Sequence, residues 1–301
     1  MTVRIPEFAN YRQFLLEHQH SNEQQSSVLE RLSTMKKVNR GSDDPAHYRQ
    51  IKDTKAELME TNSFQDNIQS LMDRFRITED IFGDIRTAMD EARELAIQGT
   101  SFLYGDLERE TIADELEQLR LNIINRLNTQ LEGEYIFSGT LNDTEPFADA
   151  TTGVYTGNLE VVDVRISKTD TIRTNFTGEE IAFGTTGQGG SEDILDIMDD
   201  LIIAFRNNDL TAVNAEIPRL RPAGERINRL ISEVGNRSLR LVNEQNHYDV
   251  FEENLRGVLA ELEDADLAEE TVNLEKVNNT ITAQLRSQGT IGRQTLLDFL
   301  G

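Results

Sequence analysis

The chain has 301 residues and no Cys, and its thirty Lys plus Arg against fifty-four Asp plus Glu give a formal net charge of −24. A surface so acidic repels phosphate backbones, which excludes nucleic acid as an expected partner. The lack of Cys excludes disulfides, thiolate zinc sites and a cysteine nucleophile. With 28% charged and 37% hydrophobic residues the chain is of globular composition, long enough for more than one domain.

Met1 to Phe8 contains no apolar stretch of the kind a secretory signal needs, and no window approaches a membrane span, so no membrane association is expected. Phe8, Tyr11 and Leu15, then Val28, Leu29, Leu32 and Met35, have helical spacing, but His18 to Ser27 between them is almost entirely polar. Such a helix is marginal alone. At Ser42-Asp43-Asp44-Pro45 a helix begins, because the Ser or Asp side chains can cap it and Pro45 falls where no amide donor is needed.

From there Phe64, Leu71, Thr78, Ile85 and Ala92 recur every seven residues. Ile68, Phe75, Phe82, Met89 and Ala96 form a second row four residues behind. That is a sustained heptad seam, the pattern of long helices packed side by side. A second helix, with Ile112, Leu116, Leu119, Ile123, Leu127 and Leu131 on one stripe, follows the loop around Gly105 and should run antiparallel to the first.

After Gly133 the texture changes to Gly, Thr, Asn and Asp. Val162, Val164 and Ile166 alternate with polar residues, and Ile172 and Phe176 flank Arg173 and Asn175, which are period-two strand signatures. Residues 138–190 therefore read as a small β insert that must lean on something larger, with Thr185 to Gly190 as its exit linker. Helical spacing returns at Ile194 and, after Asn207-Asn208-Asp209, runs from Val213 to Leu262. Pro218 and Pro222 predict a kink there or a helix that starts near Pro222. In the tail Leu267, Leu274, Val277, Ile281 and Leu285 form a narrow stripe that can pair with the first helix, and Leu296, Leu297, Phe299 and Leu300 form a terminal apolar cluster.

The predicted fold class is mainly α: a long antiparallel helical bundle or coiled coil built from both termini, with a small inserted β domain. Residues 1–41 and 265–301 form the terminal helices, 42–137 and 191–264 the helical core, and 138–190 the outer β domain. His18, His20, His47 and His247 have no metal-site spacing. Asp193, Asp196, Asp199 and Asp200 read as a charged helix face. Gly187 to Gly190 lacks the Lys and Ser/Thr of a phosphate loop, and no nucleophile, base and orienter assemble. No cofactor, metal or enzymatic activity is expected.

Two segments form a matched pair: Val38-Asn39-Arg40-Gly41-Ser42-Asp43-Asp44-Pro45-Ala46, preceded by Leu29, Arg31, Leu32 and Ser33, and Asp264 to Glu270 near the end. Together they resemble the flagellin family, and Ala92-Arg93-Glu94-Leu95-Ala96-Ile97-Gln98 is similar to that family's Arg-Glu-Leu-Ala-x-Gln segment. The likeness covers roughly the first 140 and last 70 residues. Gly133-Glu134-Tyr135-Ile136-Phe137-Ser138-Gly139 and the ending Thr295 to Leu300 resemble the family's hook–filament junction members more than its filament subunits.

The resemblance implies a structural role in a bacterial flagellum. The chain would leave the cell through the flagellum's own export channel without a cleaved signal, and assemble into a ring between hook and filament. The implied partners are copies of itself, the first hook-associated protein, flagellin, and an export chaperone with the export apparatus. The residues implied in assembly are Phe8, Tyr11, Leu15, Leu29 and Leu32 against Leu267, Leu274, Val277, Ile281 and Leu285. The alternative within the family is a filament subunit.

Overall fold

The structure is a computed structural model that describes the backbone of residues 4–300 and the side chains of residue 9 and of 11–289. Phe8 and the terminal cluster Leu296 to Leu300 thus lie outside the described side chains. The chain is mainly helical, with α1 (Arg4–Thr34), α2 (Pro45–Gly99), α3 (Asp106–Leu127), α4 (Gly178–Ala182), α5 (Ile194–Arg206), α6 (Leu210–Glu263) and α7 (Leu267–Leu300). Two antiparallel ladders complete it: β1 (Gln130–Leu131) with β2 (Glu134–Tyr135), and β3 (Asp163–Arg165) with β4 (Thr171–Arg173). Among the described residues no helix is long and apolar enough to cross a membrane. Residues 1–61 with 250–301 make one compact unit and 62–249 the other.

Acidic side chains start the helices. Asp44 caps α2, Asp209 caps α6 and Asp266 caps α7, each with one carboxylate oxygen accepting from two amides of the first turn at 2.9–3.2 Å. Asp193, expected on a solvated face, is instead the buried cap of α5. It accepts from Leu195 and Asp196 and, through its other oxygen, from Gly189 of the preceding loop. Burial pushes its carboxyl above the usual range, and these amide bonds act against that. Its neighbours are paired rather than merely solvated: Asp199 faces Arg120 at 2.7 Å, and Asp196 and Asp200 share Arg219.

All ten positions of the α2 heptad rows are buried, and Ile68, Phe75, Phe82, Ile85, Ala92 and Ala96 are fully enclosed. A matching row on α6 (Val213, Leu220, Ile227, Val234, Leu241, Tyr248 and Leu255) is buried at every step. Phe64 stacks on Tyr248 at 5.7 Å, and Gln65 donates to Asp249 at 2.9 Å. The expected start near Pro222 is wrong, because α6 begins at Leu210 and contains both prolines. Pro218 and Pro222 are exposed, so the seven-residue row runs past them on the buried side.

Between α3 and α5 the chain forms the small insert, which packs on the helices of its own unit. The β1–β2 hairpin turns through Glu132 and Gly133, both with positive φ as a two-residue hairpin requires. In the insert proper, regular pairing is confined to the three residue pairs of β3 and β4. Period two fails beyond Arg173 because Thr174, Asn175, Phe176 and Thr177 are all buried. There, Asn175 takes the place of a strand partner, accepting from the Val162 amide at 3.0 Å and donating to the Glu160 carbonyl at 2.9 Å.

Arginines from the helices satisfy much of the remaining backbone. Arg120 donates to Ala150 and Thr151, Arg226 to Ile181, Ala182 and Glu192, and Arg237 to Arg173 while lying 4.4 Å over the Phe176 ring. Gly184, at φ 68°, is required where it stands, because a Cβ would come within 2.3 Å of the Arg226 guanidinium.

Phe82 joins helix and insert, since its ring meets Phe137 at 6.0 Å and Phe176 edge-on at 5.4 Å. Phe82→Ala should cost about 3–5 kcal/mol. Denaturant unfolding followed by near-UV circular dichroism checks this, and a cost under about 1 kcal/mol would mean that the insert does not depend on that contact.

Candidate assembly surface

The two chain ends pair. Helices α1 and α7 pack against one another and run antiparallel. Arg31 grips Glu270 with two bonds of 2.9 Å, Gln25 donates to Asn278 at 2.6 Å, and Gln284 donates to Ser21 at 3.0 Å. The burial pattern shows a heptad seam on each partner: Phe14, His18, Ser21, Gln25, Val28 and Leu32 on α1, and Glu270, Leu274, Val277, Ile281, Gln284 and Gln288 on α7. Only Ser21 and Val28 on this seam are fully buried.

The sequence-predicted residues therefore separate into two groups. Leu32, Leu274, Val277 and Ile281 are half-buried on the seam. Tyr11, Leu15, Leu29, Leu267 and Leu285 are 45–53% exposed. The polar tract that seemed to interrupt α1 supplies the middle of the seam instead, and its signal in the sequence is the spacing by sevens of Phe14, Ser21 and Val28 and of His18, Gln25 and Leu32. Polarity there is costly: His18 Nδ1 and Gln284 Oε1 are buried without a hydrogen-bond partner.

Where α1 leads to α2 and α6 to α7, the two connections are stitched together. Lys36 and Asp264 form an antiparallel bridge, the Lys37 amide donates to the Glu263 carbonyl at 2.7 Å, and the Ala265 amide donates to Met35 at 3.0 Å. Met35 ends α1 at φ 57°, which turns the chain into this bridge. The Lys37 ammonium caps the carbonyl of Glu261. Beneath it, one oxygen of the buried Glu263 side chain receives Lys36 at 2.6 Å and Lys55 at 2.8 Å. Burial acts to raise the Glu263 carboxyl, but the two lysines outweigh it and hold it below its ordinary value. The hydrogen bond to Glu263 holds Lys36 above its own.

The turn into α2 is built by its acids. Asp43 accepts from the amides of Asn39 and Arg40 at 3.0 and 2.8 Å, Ser42 lies 3.5 Å from the same carboxylate, and Asp44 accepts from the amides of Ala46 and His47 while meeting His47 Nδ1 at 2.5 Å. Backbone donors hold both carboxyls below the usual range, led by Arg40 for Asp43 and by His47 for Asp44. Among the described residues no group of three or more His, Cys, Asp or Glu is arranged to hold a metal.

The model of the bacterial flagellin N-terminal helical region matches residues 8–142. Flagellar hook-associated protein 3 of Salmonella typhimurium is 26% identical over 75% of this chain and 74% of its own length. Flagellin FlaB1 of Treponema pallidum is 23% identical over 93% and 94%. The chain is thus similar to the flagellins over its N-terminal helical region and to flagellar proteins over most of its length. A solved candidate flagellar hook-associated protein from Vibrio parahaemolyticus has the same fold, with a TM-score of 0.67 at 24% identity, covering 74% of this chain and all of that one. Hook-associated protein 3 of Legionella pneumophila matches with a TM-score of 0.62 at 15% identity over 70% and 98%.

In this chain the Gly133–Gly139 segment is where the backbone leaves the hairpin for the insert. Ile136, Phe137 and Ser138 are buried, and Ser138 Oγ donates to the Tyr135 carbonyl at 3.1 Å.

Two outcomes follow from this geometry. Replacing the polar layer by Ser21→Val with Gln284→Leu should strengthen the α1–α7 pair, by about 1–3 kcal/mol, read as slower amide exchange in both helices; faster exchange would show that the layer is net stabilising. For Glu263, a depressed folded value means that its stabilisation is present above the ordinary 4.5 and is lost as pH falls through the lower folded value. Glu263→Gln should cost about 1–3 kcal/mol near neutrality, at the low end because both ammonium groups are partly exposed. The variant should also lose less stability on acidification than the parent, and equal acid losses would dismiss the lysine clamp.

Proposed function

We propose that this chain is the hook–filament junction subunit of a bacterial flagellum, a hook-associated protein 3. What carries the reading is the likeness to that protein over three quarters of each chain, together with the Gly133–Gly139 segment, which forms the buried exit from the helical body. Assembly rests on the terminal pair. Leu32, Leu274, Val277 and Ile281 hold α1 to α7. Tyr11, Leu15, Leu29, Leu267 and Leu285, which a lone subunit leaves exposed, pack against neighbouring copies, and Phe8 extends that surface.

The sparse seam makes pairing weak until a neighbour covers it, so ordering and apolar burial are coupled to assembly. One side of the ring meets the first hook-associated protein and the other meets flagellin. The insert, 138–190, faces outward, and an export chaperone covers the C-terminal tail before passage through the flagellar export apparatus. A filament subunit is the second reading, because the alignment to flagellin FlaB1 spans almost the whole chain.

Gold-labelled antibody against residues 138–190, viewed by electron microscopy on intact cells, separates the two. A tight band where hook meets filament is expected. Label along the whole filament would make the chain a flagellin, and label confined to the cell interior would overturn both readings.

A further inference from the structure

Helix α2 carries opposite charges on its two flanks. On one side a cleft of about 390 Å³ opens between α2 and α3, with Thr87 and Ala88 on α2 and Asp84 and Glu91 one turn to either side. Asp84 is paired with Arg126 at 3.0 Å, whereas Glu91 is exposed and has no ion pair or hydrogen bond among the described residues. On the other side a groove of about 340 Å³ lies between α2 and α6 and gathers Arg86, Arg93 and Arg221. Asp90 and Glu225 hold Arg86 and Arg221 at 3.0 and 2.9 Å. Arg93 is exposed and, among the described residues, likewise has no ion pair or hydrogen bond.

The arrangement is specific to the backbone. Gly224 lets Arg86 lie across α6, since a Cβ there would stand 2.6 Å from its guanidinium. Asp84 and Arg86, and likewise Glu91 and Arg93, lie two apart in sequence, which at 100° per residue sets the members of each pair roughly 200° apart around the helix. In a chain of net charge −24, copies brought side by side repel unless a local patch of the opposite sign lies between them. An arginine row on one flank and an unneutralised carboxylate above a cleft on the opposite flank supply such a patch, and an interface between two different patches repeats from copy to copy into a ring or an open helix.

We propose that copies of this chain dock side by side, with the Arg86–Arg93–Arg221 flank of one on the Asp84–Glu91 cleft of the next and Arg93 pairing with Glu91. The contact rests on the reading of the chain as a subunit of the flagellar axis and names the surfaces that adjoin in its ring. Opposite charges also set the order of approach, as one flank attracts only the other and each flank repels its own kind.

Because the chain has no Cys, two full-length variants carrying one thiol each, Thr87→Cys in the cleft and Asn228→Cys on the arginine flank, report the contact with every charge left in place. Flagella are purified from cells making one variant or both and treated with a short bis-maleimide. A cross-linked pair of chains is expected only when both variants are present. If the chain is found in the flagella and no mixed pair forms, the docking is overturned and the junction reading stands; if the unsubstituted chain is absent from the flagella, both fall.

Charge reversal gives a second test. Glu91→Lys and Arg93→Glu should each reduce the filaments retained per cell about tenfold, and the double reversal should restore them. A double variant no better than either single one would overturn the pairing even if cross-links were seen.

Discussion

Everything distinctive about this chain depends on its two ends meeting along a seam that is only half apolar. A helix of thirty-one residues with its apolar side chains spread around it gains little from folding alone, since helical stability in proteins comes mainly from packing one face. Here that face contains a serine, a histidine and a glutamine in its central turns. Such a layer selects one alignment, because slipping by a turn would bury polar groups against aliphatic ones, and it does so at a cost in strength. The Arg31–Glu270 fork and the Lys36–Asp264 bridge then act at the end of the pair where the chain turns, adding directional bonds where apolar area is scarce.

The α2 rows show the opposite choice. Nine of the ten buried positions are apolar and the tenth, Thr78, donates its hydroxyl to the Arg74 carbonyl at 2.9 Å, while the α6 row answers with buried Val, Leu, Ile and Tyr past two prolines. Area removed from water at about 25 cal/mol per Å² makes such a seam self-sufficient. The insert has neither resource. Its regular ladders are too short to satisfy the insert's backbone, so Asn175 donates to the Glu160 carbonyl and the buried Arg226 donates to the Ile181 and Ala182 carbonyls at the end of α4. Burying guanidinium groups is tolerable because each finds several acceptors, with Arg226 alone reaching three backbone carbonyls.

The fold was legible in the sequence wherever apolar residues recur at one period. The α2 rows, the α3 stripe as far as Leu127 and the Asp44–Pro45 start could be read from spacing, because a buried face and a cap are local in sequence, whereas Leu131, expected on that stripe, lies in β1 beyond the helix end. The terminal seam was harder. Counting apolar residues chose Tyr11, Leu15 and Leu29, which turn outward, while Ser21 and Gln25 lie on the packed side. Periodicity by sevens held the answer, but polarity hid it. Asp193 was misread for a related reason: a carboxylate next to other carboxylates looks like a solvated face until the loop that closes over it is known. The clamp at Glu263 could not be read at all, since Lys36, Lys55 and Glu263 are brought together only by the tertiary bridge.

These differences bear on how the proposed junction subunit would be both easy to unfold at its ends and durable in its body. The dense heptad rows can stand without a partner, so order in that part of the chain comes from the chain itself. The sparse terminal seam leaves leucines exposed on both of its helices, and on the proposed reading neighbouring subunits supply the rest of its apolar burial. Charge works in the same direction: an acidic chain keeps its copies apart in dilute solution, and only surfaces that offset that repulsion locally bring them together. On the proposed reading, the chain keeps its weakest helices where neighbouring subunits cover them, and assembly completes what the single chain leaves unfinished.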